Sequence, residues 1–213
     1  MTSDIKFIFF DMGKVLLEFD HQRLIDQVAA LAKKPGDEVE QILFQSPHDL
    51  ENRFERGELN GDQFHRAFCE VADCEVGKDD LMLAVADIFW LNTSIVHVLT
   101  QLSYVNFPMA ILSNTCEAHW DFAVRHFAAV GQMFRQRVLS YEEKSMKPDG
   151  KIYQAAIALA KEITGCEPGE IFFTDDRQEN VDAARQAGMH AELYVSTREL
   201  AEQLRQRGVP VTG

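Results

Sequence analysis

Ile5-Lys6-Phe7-Ile8-Phe9-Phe10-Asp11-Met12-Gly13 is the stretch on which the reading of this chain turns. An apolar run, residues 5–10, drives into an aspartate, and a glycine comes two residues later. A run this dense in aromatic and β-branched residues predicts a strand buried on both faces. A carboxylate at the end of such a strand stands where open α/β sheets build their sites. Aspartate also forms turns and caps helices, so the motif takes its meaning from segments further down the chain.

Four more runs, residues 108–112, 137–139, 170–173 and 191–195, carry the same signal for buried strands. Helical spacing lies between the later ones. Ile152, Ala155, Ala156, Leu159 and Ile163 form one stripe, and Ser196 with Glu199 predicts a capping box opening a last helix that turns Leu200 and Leu204 inward. Strands alternating with helices predict an α/β fold with a doubly wound, Rossmann-like parallel sheet. Residues 19–94 have another texture, without clear strands and with several short amphipathic helices. One ends at Gly57; the next opens on a capping box, Asn60 with Gln63, and buries Phe64, Ala67, Phe68 and Val71. The expected division is a core of residues 1–18 and 95–213, with residues 19–94 a helical unit inserted between the first and second core strands.

The 213 residues carry a formal charge of −13, which argues against nucleic acid or an anionic membrane as partner. An anionic substrate would have to be drawn in by a local cation or metal. Cys69, Cys74, Cys116 and Cys166 show neither a CxxC pair nor zinc spacing, as expected of reduced thiols. The first apolar run lacks a basic lead-in and is too short for a signal peptide or membrane span, so a cytoplasmic protein is expected.

Three later segments also end apolar runs on polar residues. Ser113-Asn114-Thr115 offers hydroxyls and backbone N–H groups suited to a phosphate oxygen, or equally to capping the next helix. Lys147 precedes Pro148, which holds it in extended backbone on a loop; an exposed lysine is the ordinary reading. Asp175 and Asp176, with Asn180 beyond, place adjacent carboxylates at a strand end, where they repel unless a cation or hydrogen bonds compensate. Such oxygen ligands suit Mg2+.

In this order, Asp11, Ser113, Lys147 and the Asp175-Asp176 pair resemble the haloacid dehalogenase (HAD) superfamily of hydrolases along nearly the whole chain, with the insertion resembling a C1-type helical cap. Phe54-Glu55-Arg56-Gly57-Glu58, Leu112-Ser113-Asn114-Thr115, Met146-Lys147-Pro148 and Ile152-Tyr153-Gln154 are similar to the sugar-phosphatase branch related to bacterial α-D-glucose-1-phosphate phosphatase. The resemblance implies that Asp11 attacks phosphorus and forms an aspartyl-phosphate. It implies Mg2+ held by Asp11, the Gly13 carbonyl and Asp176, with Asp175 and Asn180 ordering bound waters. Ser113 and the Asn114 backbone would bind phosphate oxygens, and Lys147 would neutralise Asp11 and the phosphate. The implied substrate is a small phosphorylated metabolite, with a sugar 1-phosphate favoured.

The chain departs from the family at Gly13, where a second aspartate usually serves as general acid and base. Losing such a group costs about 10²–10⁴-fold in rate, and least where the leaving group is acidic, as an anomeric hydroxyl is. Glu18, Asp20 and His119 are candidates for that role by position only. His119 reads equally as a buried helix-face histidine or as a contact for the substrate phosphate. Two other readings stand beside the phosphatase: a metal-independent dehalogenase, which the Asp175-Asp176 pair opposes, and a catalytically weak binder of a phosphorylated metabolite, which Asp11 and Lys147 oppose. Lys14 is expected in solvent, Arg53 and Arg56 in ion pairs with Glu51, Glu55 or Glu58, and Trp90 and Trp120 in the core.

Overall fold

In a computed structural model describing residues 4–212, the opening apolar run becomes β1 (Phe7–Phe10), the centre of a five-stranded sheet. It lies between β4 (Met109–Ser113) and β6 (Ile171–Asp175), and the sheet is completed by β5 (Gln136–Leu139) and β7 (His190–Leu193) in the order β5-β4-β1-β6-β7. All pairings in this sheet are parallel, giving the doubly wound α/β fold that the strand–helix alternation predicts. β6 runs to Asp175, beyond residues 170–173, because Thr174 and Asp175 stay in register with Glu192 and Leu193; Glu170 instead closes a 3-10 turn.

Side chains alternate along β1 and divide the core into two layers. Phe7 and Phe9 pack with Leu112 and Phe173 against α10 (Gly150–Thr164) and α11 (Gln178–Gln186), through Ile152, Tyr153, Ala156, Val181 and Ala184. Ile8 and Phe10 pack with Ile111 and Phe172 against α6 (Val96–Tyr104) and α12 (Thr197–Gln206), through Val98, Leu99, Leu102, Leu200 and Leu204. Ala123 of α7 (Glu117–His126) and Ala129 of α8 (Ala128–Gly131) extend the second layer.

A third apolar cluster belongs to α1 (His21–Ala32), α2 (Gly36–Phe44), α3 (Leu50–Glu55), α4 (Gly61–Val71) and α5 (Lys78–Ala86). Phe54 and Phe64 stack within it at 4.7 Å. The capping box at Asn60 and Gln63 is complete, both hydrogen bonds measuring 2.9 Å. At Ser196 only the forward half forms, Glu199 N–H donating to Ser196 Oγ at 3.2 Å. The expectation of no strand in residues 19–94 fails: β2 (Leu17–Phe19) and β3 (Phe89–Leu91) pair as an antiparallel ribbon where the chain leaves and rejoins the sheet. Three-residue strands are too short to show a period of two. The ribbon also corrects the placement of Trp90, which is 49% exposed, while Phe89 turns inward onto Phe19. Trp120 is half-buried, with the Arg137 guanidinium 5.1 Å from its ring.

The C-terminal end of α3 is fastened to the sheet. Ser140, first residue of α9 (Ser140–Glu143) after β5, donates its hydroxyl to the Glu55 carbonyl at 2.6 Å and accepts the Thr115 N–H at 2.9 Å. Lys144 Nζ donates to the Gly57 carbonyl at 2.5 Å. Gly57 has φ 64°, and a Cβ there would collide with the Tyr141 carbonyl oxygen. A side chain at this position is both strained and obstructed. Gly57→Ala should therefore lower stability by at least about 1 kcal/mol, seen as a reduced denaturant midpoint at unchanged m-value. An unchanged midpoint would contradict this docking geometry.

Candidate active site

Sheet order decides where the polar strand ends meet. β1 and β6 are adjacent at the point where successive strands switch sides, and such a switch opens a crevice beyond the strands' C-terminal ends. Asp11 follows β1 there and Asp175 closes β6. The carboxylates of Asp11, Asp175 and Asp176 come together with their nearest oxygens within 4.8 Å of one another. Lys147, expected on a loop surface, is instead buried among them, its Nζ 2.9 Å from Asp11 Oδ1, 2.6 Å from Asp175 Oδ2 and 3.0 Å from the Leu112 carbonyl.

Asn114 sets the lysine in place. Its amide donates to the Lys147 carbonyl at 2.9 Å and accepts the Lys147 N–H at 2.7 Å, so the side chain grips the lysine's backbone. Asp175 is engaged on both oxygens, by Lys147, by the Asn180 amide at 3.0 and 3.1 Å, and by the Arg177 N–H at 2.9 Å. Asp176 is left facing the crevice. Buried Asn180 Oδ1 has no partner among the described residues. Ser113 lies at the end of β4, buried, its hydroxyl 3.2 Å from the Asn114 carbonyl, and is not part of the crevice wall. Thr115 is, and its buried Oγ1 is also unpartnered among the described residues. Neither Ser113, Asn114 nor Thr115 caps α7, whose N-cap is Cys116.

The crevice holds about 230 Å³, below the roughly 300–1,000 Å³ of pockets for drug-sized ligands. Asp11, Gly13, Asn114, Thr115, Lys147 and Asp176 form its floor, and α3 closes it with Glu51, Asn52 and Glu55. Burial pushes the Asp11 carboxyl up to about 7, with Lys147 pulling down and Asp175 pushing further up. Burial alone would lower the Lys147 pKa, but Asp11 and Asp175 outweigh it, so the ammonium persists. Burial and then Asp175 also raise Asp176. The acids crowd a floor that holds one buried ammonium, and a further cation would relieve them.

The positional candidates for an acid do not reach this crevice in usable form. Glu18 pairs with Lys14 at 3.2 Å, and Asp20 caps α1 through the Gln22 N–H at 2.8 Å. Lys14 is not free in solvent: its Nζ also donates to the Phe19 carbonyl at 2.9 Å and lies 4.6 Å from the Phe19 ring centroid. His119 does line the wall but is buried, and burial pushes its pKa down to about 4. Its Nε2 lies 3.3 Å from the Val85 carbonyl and 3.6 Å from Glu51 Oε1, a contact made by an uncharged imidazole. Arg53 pairs with Glu58, while neither Glu51 nor Glu55 forms an ion pair among the described residues. Glu51 is fully buried with both oxygens unpartnered, and burial, with Glu55 adding, raises it well above the usual carboxyl range. Burial also lifts Glu55 to about 7 against the pull of Lys147, Arg177 and Arg56. These two glutamates escaped the reading of the sequence. Their spacing of four was the available signal, because like charges at i and i+4 disfavour a solvated helix face.

The crevice can be compared with known proteins. A family model for haloacid dehalogenase-like hydrolases matches residues 5–188. A HAD family enzyme from Bacteroides thetaiotaomicron superposes with TM-score 0.80 at 23% identity, covering 95% of this chain and 100% of that one. The wild-type form of that enzyme, in complex with magnesium and inorganic phosphate, gives TM-score 0.75 at 25% identity over 90% of this chain and 94% of its own. L-2-haloacid dehalogenase from Xanthobacter autotrophicus gives 0.61 at 20% identity, over 95% and 83%. Among the described residues, no helix is long and apolar enough to cross a membrane.

Three carboxyls with raised pKa set a pH dependence. Asp11 and Glu55 lose their protons near 7 in the folded protein, and Glu51 is raised well above its ordinary range, whereas the unfolded chain loses them near 4. The folded state thus binds more protons above pH 4, and stability falls as pH rises. Below about 6.5 the buried His119 opposes this, since its lowered pKa makes folding more favourable with rising pH. Between pH 6.5 and 8 that opposition is spent. Without added metal, the denaturant midpoint should drop across this interval, and saturating Mg2+ at pH 8 should restore part of the loss. A midpoint that rises from pH 6.5 to 8 would contradict the assignment.

Proposed function

The chain belongs to the haloacid dehalogenase-like hydrolases, and from that premise we propose that it is a Mg2+-dependent phosphatase of a small phosphorylated metabolite. The observation that carries the reading is the buried Lys147 ammonium shared between Asp11 and Asp175, with Asp176 alongside. A site that only binds a phosphate has no use for a carboxylate on its floor, since like charges repel. A site that attacks phosphorus needs one, together with cations to let the two anions meet.

The donor set fits Mg2+, which takes oxygen ligands and keeps water in its shell. Asp11, the Gly13 carbonyl and Asp176 would hold the ion. Asp175, committed to Lys147 and Asn180, would orient that shell, and the unpartnered Asn180 Oδ1 would accept from a bound water. When bound, the ion supplies charge neutralisation and fixes the phosphoryl oxygens. Asp11 attacks phosphorus in line while Lys147 holds its carboxylate and balances the approaching phosphate. Asn114 keeps Lys147 in place, and the Asn114 backbone, with the free Thr115 hydroxyl above Ser113, receives phosphate oxygens. The same three carboxylates weigh against a metal-independent dehalogenase, whose substrate is a carboxylate that they would repel. The Bacteroides enzyme that carries magnesium and phosphate supports the same choice.

α1 to α5, with their own apolar cluster, act as a C1-type cap over the described part of the core, residues 4–18 and 95–212. A small crevice closed by carboxyls and lacking a large basic patch suits an uncharged polar leaving group. A sugar 1-phosphate meets that description, in keeping with the likeness to the glucose-1-phosphatase branch.

Phosphate release should be measured from a panel of sugar 1- and 6-phosphates, with Mg2+ and with EDTA. The wild type should release phosphate with Mg2+, fastest from 1-phosphates. EDTA or Asp11→Asn should reduce release by at least about 10³-fold. Release that persists in EDTA, or in Asp11→Asn, would overturn the reading.

A further inference from the structure

Resting on that reading, we propose that Glu55 of α3 is the catalytic proton donor and acceptor that Gly13 leaves out. The usual position for this group is physically filled. A Cβ on Gly13 would lie 2.9 Å from Phe19 Cε1. The Phe19 ring has little room to retreat, being held by His21 at 4.9 Å, Phe89 at 6.0 Å and the Lys14 ammonium at 4.6 Å. The ring at the end of β2 takes the space an aspartate would need, so a proton must come from another wall of the crevice.

Elimination leaves few groups. Asp11 and Asp176 lie on the floor at the metal position, and His119 is neutral and turned to the Val85 carbonyl. Glu51 is sealed against His119 at 3.6 Å. Glu55 alone among the α3 carboxyls is partly exposed, and it lines the crevice. Its backbone is fixed at the strand ends: Ser140 Oγ binds the Glu55 carbonyl at 2.6 Å and holds the Thr115 N–H at 2.9 Å. One hydroxyl thereby joins the glutamate's backbone to the loop that carries Asn114 and Thr115. Such anchoring suits a group that must meet a leaving oxygen within hydrogen-bond reach.

The charges around Glu55 suit both directions of transfer. Glu51 shares its helix and Arg56 caps that helix's end, Lys144 and Lys147 come from the segment between β5 and α10, Arg177 precedes α11, and His119 faces α3 from α7. Burial against these cations leaves the carboxyl titrating near neutrality, where an acid can also act as a base. In the first half-reaction Asp11 forms a bond to phosphorus as the bond to the leaving oxygen breaks, and the Glu55 proton passes to that oxygen. In the second, the Glu55 carboxylate takes a proton from water as the water oxygen attacks phosphorus. The bond from phosphorus to Asp11 then breaks, freeing the Asp11 carboxylate and inorganic phosphate and restoring neutral Glu55.

The test compares wild type with Glu55→Gln and Glu55→Asp on two probes, α-D-glucose 1-phosphate and p-nitrophenyl phosphate, with Mg2+. The aryl leaving group needs no proton, whereas the water step still needs a base. Glu55→Gln should lower kcat on the sugar phosphate by about 10²-fold or more and flatten the pH profile near 7. On the aryl phosphate it should release a rapid burst of nitrophenolate equal to the enzyme concentration and then stall. Glu55→Asp should recover part of the rate. Wild-type rates in Glu55→Gln, or equal losses on both probes without a burst and with the pH profile kept, would overturn the proposal and leave the phosphatase reading intact. A wild type that releases no phosphate from either probe would overturn both.

Discussion

Everything at the crevice depends on one buried ammonium. Lys147 Nζ lies within 3.0 Å of two carboxylates and a carbonyl, at the junction of β1, β4 and β6. Removing a buried charge from such a cluster typically costs about 3–5 kcal/mol, because its partners are left unpaired out of water. That cost explains why the surroundings are so fully built. Asn114 grips the lysine backbone from β4's end, and Asn180 and the Arg177 N–H hold Asp175 from α11's start. Three connections of the sheet are thus tied to one charge, and the pair of anions it holds apart from solvent leaves Asp11 facing the crevice.

The remaining acid excess is what makes the floor receptive to a divalent cation. Three carboxylates against one ammonium favour protonation when nothing else compensates, which is the meaning of an Asp11 carboxyl lifted to about 7. A cation with oxygen preference would return these groups to the charged form that the proposed attack on phosphorus requires. On the proposed phosphatase reading, the electrostatics that let an acidic protein act on an anion are therefore local. The overall charge is −13, while the crevice floor carries the buried Lys147 ammonium between Asp11 and Asp175.

Much of this was legible in the chain. The aromatic run into Asp11 and the later apolar runs forecast the sheet because fully buried parallel strands leave long unbroken apolar signals. Asp11, Asn114, Lys147 and Asp176 were nameable from their order along the chain and the family resemblance that this order carries. What escaped depended on packing. Residues 17–19 and 89–91 are too brief to show periodicity, so the ribbon, the exposure of Trp90 and the Phe19 ring against Gly13 went unseen. Nor could the chain show that Thr115 lines the crevice while the Ser113 hydroxyl turns to the Asn114 carbonyl, because a hydroxyl's direction at a strand end is set by the turn after it. Glu51 and Glu55 resembled the surface acids around them, and only the docking of α3 through Ser140 turns them inward.

The most direct measurement is to identify the phosphorylated atom. Wild-type protein mixed with p-nitrophenyl phosphate and Mg2+, quenched in acid within the first turnover and digested, should yield a phosphoryl adduct on the peptide bearing Asp11. The adduct should be labile to hydroxylamine, as an acyl phosphate is, and missing in EDTA. Phosphate release in the same samples with no adduct on Asp11, or with the phosphoryl group on another residue, would contradict the account.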